Sequence, residues 1–476
     1  MKEDKSKPRV VIAGASGFVG RRLLKYLAAT YEVIGLSRMP FNDEFIWRQC
    51  DLYSLRGAEE ALDGADYAIY LVHSMMPSAR LTQGNFEDMD LILADNFSRA
   101  AKKAGVKQII YLGDIIPDAN ELSIHLRSRL EVEETLGAHG VPVTALRAAL
   151  IVGQDGPTFN ILIETIKRLP LMTFSSWQRS LIQPIALTDV VPILKYCIGN
   201  EGTYNQSFDI GGPDILTYSQ LLKTTAEIMG YKRRIFRNPF FSVGLARYLL
   251  SIITGAPMAL VYPLVESLQF DLVAKDLRLQ RQLGLRGLTF SEAVKISLKD
   301  SNKQLTKKYA IKKRRITNKA ILNVRSVQRL PLPKNKDADW AARYYADWLP
   351  KFFGSLIKVK VDEFGNISFY LRFMAKPLLE LTFSSERSSK DRPLYYITGG
   401  LLAKPFNKNR RGRLEFRQVL KGKYVLAAIH DFVPALPWFF YSLTQAPIHL
   451  WVMNSYGRHL AKLIKEKGSE YNHVRI

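Results

Sequence analysis

A triplet of glycines between an apolar run and an amphipathic segment constrains the fold of this chain more than any other feature. Residues 10–13 read as a short buried strand, and helical spacing resumes over 19–27. Gly14, Gly17 and Gly20 lie between them: the first allows a tight turn, the second lets backbone approach a pyrophosphate, and the third lets the helix sit close on the strand. The helix N-terminus would then offer N–H groups to phosphates. The stretch predicts a dinucleotide site, the alternative being a glycine turn that serves packing alone.

Strands and helices alternate from this point, which predicts an α/β fold with a Rossmann-type, doubly wound parallel sheet. Ligands of such sheets bind outside the carboxyl ends of the strands. We therefore expect Asp51 and Leu52, which follow the third strand, and His73, which ends the fourth, to lie near the cofactor. Asp114 ends the fifth strand at the same edge.

The end of the second strand indicates which cofactor is bound. Residues 31–38 form this strand and finish with Ser37 and Arg38. An acid at this position would hydrogen-bond a ribose 2′-hydroxyl, whereas an arginine suits a 2′-phosphate. Because no acid is present, NADP is favoured over NAD. The alternative is an exposed arginine without a cofactor contact.

The glycine motif and the Asp51-Leu52 pair resemble those of extended or atypical short-chain dehydrogenases/reductases, close to the NmrA-like NAD(P)-binding branch. Further stretches resemble one bacterial subgroup in which this domain is fused to a C-terminal domain of unknown function: 70–75, 111–114, 122–129, 183–186 and 208–213. The resemblance implies a cofactor-binding set of Gly14, Ser16, Gly17, Phe18, Val19, Gly20, Ser37, Arg38, Asp51, Leu52, His73 and Arg129. It also implies a domain over 8–300, with a small substrate lobe mainly at 155–185 and 210–300.

The chain departs from the superfamily at the catalytic positions. A Tyr-x-x-x-Lys pair is expected there, but the matching positions hold His125 and Arg129. An arginine does not titrate near neutral pH, whereas a histidine can exchange protons. Either His125 replaces the tyrosine, with Arg129 and Asp114 as the other catalytic candidates, or hydride transfer has been lost and the histidine is structural.

Charge and apolar patterning limit the partners. Net charge is +24, and residues 301–336 carry twelve Lys or Arg and no acid. This run predicts a basic linker over 301–339, either solvated or in contact with an anionic membrane surface; no base-reading module supports specific nucleic-acid binding. Residues 240–265 are strongly apolar but interrupted by Arg247 and two prolines, which favours two substrate-lobe helices over a membrane-dipping hairpin. Such helices would suit a bulky apolar substrate.

Residues 340–476 predict a separate α+β domain. One amphipathic helix, six strand-like runs and a long helix over 448–465 suggest an antiparallel sheet that grips a helix, as in START-like folds. Two cysteines without ligand spacing and no histidine–acid pattern predict no metal site. The charged N-terminal stretch favours a cytoplasmic protein, peripheral to the inner membrane face if the linker binds lipid.

Two functions are consistent with these features. The first is an NADP(H)-dependent oxidoreductase that reduces an apolar carbonyl or quinone-like compound. The second is a non-catalytic nicotinamide-nucleotide sensor or a lipid- or membrane-associated assembly factor. The missing Tyr and Lys favour the second, and His125 inside the motif favours the first.

Overall fold

A computed structural model describes residues 7–39, 41, 43–73, 81–174, 179–237, 243–304, 324–354, 356–404 and 412–472. The chain divides into two units, each of which is described by itself. Unit 1 comprises Met1–Met76 and Ile92–Ile311, and unit 2 comprises Pro77–Leu91 and Lys312–Ile476.

The strands of the described residues are, in chain order, β1 (Arg9–Ala13), β2 (Glu32–Ser37), β3 (Ile46–Gln49), β4 (Tyr67–Tyr70), β5 (Leu81–Gln83), β6 (Gln108–Asp114), β7 (Val143–Ala148), β8 (Leu150–Val152), β9 (Leu171–Phe174), β10 (Leu181–Ile182), β11 (Pro184–Ala186), β12 (Gln206–Ile210), β13 (Leu216–Thr217), β14 (Arg234–Arg237), β15 (Val324–Pro331), β16 (Ile357–Val361), β17 (Ile367–Leu371), β18 (Leu379–Phe383), β19 (Leu394–Gly399), β20 (Arg413–Val419) and β21 (Tyr424–Phe432). The α-helices are α1 (Phe18–Leu27), α2 (Leu55–Leu62), α3 (Phe86–Lys103), α4 (Ile124–Leu136), α5 (Pro157–Arg168), α6 (Leu187–Cys197), α7 (Tyr218–Ile228), α8 (Val243–Thr254), α9 (Met258–Ser267), α10 (Arg278–Gln282), α11 (Phe290–Gln304), α12 (Ala338–Phe352), α13 (Trp438–Leu443) and α14 (Gln445–Asn472).

Unit 1 is built on a parallel sheet of seven strands in the order β12-β7-β6-β4-β1-β2-β3. The central strands are apolar and buried on both faces, as a sheet covered by helices requires. Chain order reverses direction between β1 and β4, so the sheet has a switch point there. This confirms the predicted Rossmann-type fold and places the expected ligand site beside the carboxyl ends of β1 and β4.

Two helices of unit 1 matter most for the site. Helix α1 buries Leu23, Leu24 and Leu27 against the sheet, at the spacing that the sequence indicates. Helix α4 begins after Ser123, whose side chain accepts the N–H of Leu126 at 3.2 Å and so caps its first turn. The two helices therefore present their first turns in fixed orientations.

The predicted substrate-lobe residues form short paired strands and helices. Parallel β9 and β14 make one pair, and antiparallel β10 and β13 make another. The apolar stretch 240–265 lies largely in α8 and α9; residues 238–242 are outside the described part of the chain. Among the helices of the described residues, none is both long and apolar enough to cross a membrane.

Unit 2 holds a sheet of eight strands in the order β16-β17-β18-β19-β20-β21-β15-β5. Neighbours are antiparallel except for β15 and β5. Helix α14 packs over this sheet and α12: the Tyr456 hydroxyl donates to the Ala341 carbonyl at 2.7 Å, and both residues are fully buried. The predicted antiparallel sheet with a long helix is therefore confirmed, and Leu81–Gln83 adds a strand that sequence patterning does not indicate.

Part of the expected linker is folded. Residues 305–323, which hold most of its bases, lie outside the described residues. Residues 324–331 form β15 inside the sheet, because their basic side chains have acidic partners: Arg325 lies 3.8 Å from Asp431, and Arg329 lies 2.6 Å from Asp88. A count of charges along the chain could not distinguish these paired arginines from solvated ones.

Candidate functional site

A cavity of about 400 Å³ opens at the switch point of the unit 1 sheet. The glycine loop and first turn of α1 form one side, and the ends of β4, β6 and β7 form the other. Its lining is Gly14, Gly17, Phe18, Val19, Gly20, Leu71, His73, Leu112, Gly113, Asp114, Arg129, Ala148, Ala149, Leu150, Ile151, Gly156, Pro157 and Thr158. Eight residues of the predicted site therefore surround one cavity: Gly14, Gly17, Phe18, Val19, Gly20, His73, Asp114 and Arg129.

The three glycines have different physical reasons to be glycine. Gly14 has φ +83°, and a Cβ there would lie 2.8 Å from the Leu71 carbonyl oxygen. A Cβ on Gly20 would lie 2.6 Å from Ala15 Cα, so helix and strand could not approach as they do. A Cβ on Gly17 would meet only the Gly14 carbonyl oxygen, at 3.1 Å, and the φ of Gly17 is an ordinary −80°. Packing therefore excludes a side chain at Gly14 and Gly20, whereas Gly17 has a milder constraint, one tight contact with a backbone oxygen, and also lines the cavity.

The first turn of α1 is suited to an anion. Gly17 is its N-cap and supplies no side-chain oxygen to the helix N–H groups, and the first turn contains no acidic residue. The backbone from Gly17 to Gly20 lines the cavity. N–H groups and the positive end of the helix dipole thus face space in which a pyrophosphate fits.

The opposite side of the cavity carries a charged cluster centred on Asp114. The Arg129 Nε atom lies 2.9 Å from Asp114 Oδ2, and the His125 Nε2 atom lies 3.4 Å from the same oxygen. Burial alone would raise the pKa of Asp114, but the contact with His125 and the charges of His125, Arg129 and His73 bring that pKa well below its ordinary value. Asp114 is therefore a carboxylate that orients two basic groups.

His125 lies at the edge of this arrangement. Its side chain is buried, and it is not among the described residues that line the cavity. The imidazole that lines the cavity is His73, whose ring centre is 5.4 Å from that of His125. The His125 Nδ1 atom is buried without a hydrogen-bond partner among the described residues.

Five predicted cofactor residues do not line this cavity: Ser16, Ser37, Arg38, Asp51 and Leu52. Arg38 is exposed just beyond the end of β2. Asp51 accepts the N–H of Tyr53 at 3.2 Å, and the Leu52 carbonyl accepts an N–H of Asn96 at 2.7 Å. Asp51 and Leu52 thus have structural contacts of their own in the loop before α2.

Sequence reasoning missed one wall of the cavity. The first turn of α5 contributes Pro157 and Thr158, and Gly156 is the N-cap of that helix. A glycine followed by proline is a helix-start signal, so this second helix N-terminus was readable from the sequence.

Tyr218 is a second residue that the sequence did not single out. Burial, and then the carboxylates of Asp271 and Asp114, raise the pKa of Tyr218 above its ordinary value.

The described residues contain no group of three or more His, Cys, Asp or Glu side chains that could hold a metal ion. Cys50 and Cys197 are both buried and are not in disulfides.

Residues 10–122 match the NAD dependent epimerase/dehydratase family. This stretch is therefore similar to NAD dependent epimerases and dehydratases. The match covers β1, the glycine loop and the strands as far as β6, so it includes residues from both sides of the cavity.

Two curated relatives show how far sequence similarity extends. The auxiliary protein GraX of Staphylococcus aureus is 34% identical over 142 residues, which are 29% of this chain and 43% of that protein. The NADH-ubiquinone oxidoreductase 40 kDa subunit, mitochondrial, of Neurospora crassa is 21% identical over 237 residues, which are 47% of this chain and 60% of that protein. The chain thus spans less than two thirds of the length of either relative.

Solved structures similar to this chain include the NADPH-dependent quinone oxidoreductase QOR2 of Escherichia coli in complex with NADPH. It is 19% identical, with a TM-score of 0.48, over 60% of this chain and 98% of that one. The UDP-glucose 4-epimerase of Thermotoga maritima is 17% identical, with a TM-score of 0.49, over 62% of this chain and 99% of that one.

Proposed function

We propose that unit 1 binds NADP(H) and reduces an apolar carbonyl or quinone-like compound. One observation supports this proposal: the same cavity is lined by the backbone of residues 17–20, here called the phosphate cradle, and by the charged cluster centred on Asp114. Phosphates would lie against the first turn of α1, and the reacting end of the cofactor against Asp114, Arg129 and His73. The side chain of Arg38, exposed at the end of β2, would pair with a 2′-phosphate.

A bound nicotinamide would supply hydride, and the carbonyl oxygen of the substrate would then need one proton. His125 is the candidate for the source of that proton. Ionised Asp114 favours a proton on the Nε2 atom that faces it, which leaves Nδ1 as the atom that exchanges protons. Because His125 itself does not line the cavity, its proton would have to pass the neighbouring ring of His73 to meet the substrate. Arg129 would stay charged and hold Asp114 in place.

The apolar part of the substrate would lie against the far wall of the cavity. Ala148, Leu150 and Ile151 line that wall, and they carry no group that could hydrogen-bond a polar substrate through its side chain. An aromatic or aliphatic carbonyl compound therefore fits this wall better than a sugar does.

The experiment is NADPH binding to the purified full-length protein, followed by NADPH oxidation with quinones and apolar aldehydes. Replacing His125 by alanine should lower kcat by at least about 100-fold and leave NADPH affinity within about twofold of wild type, because it removes proton transfer without touching the phosphate cradle. Arg127→Ala, on the same helix turn, is the matched control and should keep kcat.

A second function, a nucleotide sensor without catalysis, is favoured by one observation. The position of the usual catalytic lysine holds Arg129, which is committed to Asp114 at 2.9 Å. NADPH binding with no oxidation of any compound in the wild-type protein would support the sensor and overturn the reductase. Turnover that is unchanged in His125→Ala would leave a reductase but remove the assigned role of His125.

A further inference from the structure

Unit 2 contains a cavity of its own, which the chemistry of unit 1 does not use. Its volume is about 200 Å³, and it lies between the sheet, α12 and the first turns of α14. The wall is mostly aliphatic and aromatic. Examples are Leu381 and Phe416 from the sheet and Val452 from α14. An apolar cavity of ~150 Å³ holds benzene, so this one has room for a molecule of roughly ten non-hydrogen atoms.

Charge is missing from the wall. No Asp, Glu, Lys or Arg occurs among the described residues that line the cavity. Burial lowers the pKa of His449 to about 4, so its imidazole is neutral at physiological pH. Burial also raises the pKa of Tyr441 to about 12, so that phenol is neutral as well. An ion inside this cavity would lose its hydration without gaining a countercharge.

Two polar atoms in the wall lack partners. The Gln445 Oε1 and His449 Nε2 atoms are buried and have no hydrogen-bond partner among the described residues. The two residues are four apart in α14, so their side chains lie on the same face of the helix. Ser326, which also lines the cavity, is already engaged: its hydroxyl accepts from Gln328 Nε2 at 2.9 Å.

A hydroxyl group has the hydrogen-bonding capacity to pair with both atoms. The amide oxygen of Gln445 can only accept, so its partner must be a donor. The neutral imidazole of His449 can carry its proton on Nε2 and donate it. One hydroxyl can donate to Gln445 while it accepts from His449, which a carboxylate cannot do because it has no proton to donate. Leaving such buried groups unpaired costs free energy, so a ligand that pairs them gains affinity.

We propose that unit 2 binds a small, neutral, apolar molecule that carries a hydroxyl group, with the hydroxyl between Gln445 and His449 and the apolar body against the sheet. Ile448 both lines the cavity and is 55% exposed, so the ligand enters beside the first turn of α14.

Equilibrium dialysis of the full-length protein with 2-naphthol, naphthalene and 2-naphthoate tests this proposal. The three probes share a ring system and differ in the polar group. We expect 2-naphthol to bind about tenfold or more tightly than either of the others, because only the hydroxyl pairs both wall atoms. Equal affinity for naphthalene, or tighter binding of 2-naphthoate, would overturn the proposal.

Two variants locate the probe. Gln445→Leu should weaken 2-naphthol about tenfold and leave naphthalene within about twofold, a difference that misfolding would not produce. Val452→Trp, which fills the cavity, should weaken both probes. Gln418→Leu, on β20 away from the cavity, is the matched control and should change neither. Displacement of 2-naphthol by NADPH, or unchanged 2-naphthol binding in Gln445→Leu, would place the probe elsewhere and refute the assignment.

Discussion

Among single residues, Gly14, Gly17 and Gly20 line one side of the unit 1 cavity, and Asp114 and Arg129 line the other. The glycine spacing identified Gly14, Gly17 and Gly20 because each role depends on the backbone alone. His125 was identified as a residue type at a motif position. Its burial behind Asp114 depends on how α4 packs against β6, which no local pattern encodes.

Under the proposed function, Arg38 selects NADP over NAD. Replacing it with alanine should weaken NADPH binding by roughly 10- to 100-fold, since a charge-assisted contact with the 2′-phosphate is lost. NADH affinity should stay within about twofold, because NADH has no 2′-phosphate. Fluorescence titration of both cofactors measures the two effects.

Arg56→Ala is the control for that titration, since Arg56 is an exposed arginine that pairs with Glu60 on α2. An equal loss of NADPH and NADH affinity in Arg38→Ala would show that Arg38 acts on folding or on a shared part of the cofactor. No loss at all would remove Arg38 from the site.

At the scale of elements, periodicity predicted the helices and strands well, and their partners less well. Strand β20 was predicted with its observed bounds, Arg413–Val419, because apolar and polar residues alternate along it. The same alternation predicts a solvated polar face, yet Glu415 and Arg417 are fully buried. Their burial depends on mutual pairing: Glu415 lies 2.6 Å from Arg392 and 2.9 Å from Arg417.

This buried cluster makes the stability of unit 2 sensitive to acid. Burial and the charge of Arg413 lower the pKa of His430 to about 4, so the unfolded chain takes up a proton on His430 at higher pH than the folded chain does. As pH falls from about 6.5 to 4, folding therefore loses free energy, of order ~3 kcal/mol. Glu415, whose pKa Arg392 and Arg417 hold well below its ordinary value against the effect of burial, adds a loss below about pH 4.5.

Urea unfolding followed by tryptophan fluorescence at a series of pH values checks this prediction. Wild type should lose stability across that range, and His430→Gln should show a shallower loss although it is less stable at pH 7. His139→Gln is the control, because His139 lies in unit 1 and pairs with Asp95. Equal slopes for His430→Gln and wild type would contradict the account of the cluster.

In the whole molecule, the sequence predicts two domains, and the structure adds β5 and β15 to the sheet of the second. The change in sequence pattern near residue 340 was recognisable because alternating strands and helices give way to successive strands in which apolar and polar residues alternate. The inclusion of β5 and β15 in the unit 2 sheet was not, since pairing between Val324 and Leu81 joins residues that are far apart in sequence. Long-range strand pairing of this kind leaves no local signature.

The net charge of +24 predicts an electrostatic attraction to anionic membranes. Full-length protein should float with vesicles that contain phosphatidylglycerol and not with pure phosphatidylcholine, and added salt should release it. Replacing both Arg314 and Arg315 with glutamine should weaken the binding about tenfold. The same double change at Lys358 and Lys360 on β16 is the control. Flotation that is indifferent to lipid charge and salt would exclude this role.

We expect the first turn of α1 to hold the phosphates of a nicotinamide nucleotide. NADPH titration of Gly17→Val tests this expectation, because the φ of −80° is ordinary for a side chain and a Cβ there would meet only the Gly14 carbonyl oxygen, at 3.1 Å, which must move by a few tenths of an ångström. Gly137→Val is the matched control. Gly137 has a similar φ of −84°, and a Cβ there would lie 3.6 Å from its nearest neighbour, Val143 Cγ2. NADPH affinity should be at least about 100-fold weaker in Gly17→Val and unchanged in Gly137→Val. Wild-type affinity in a folded Gly17→Val protein would contradict it.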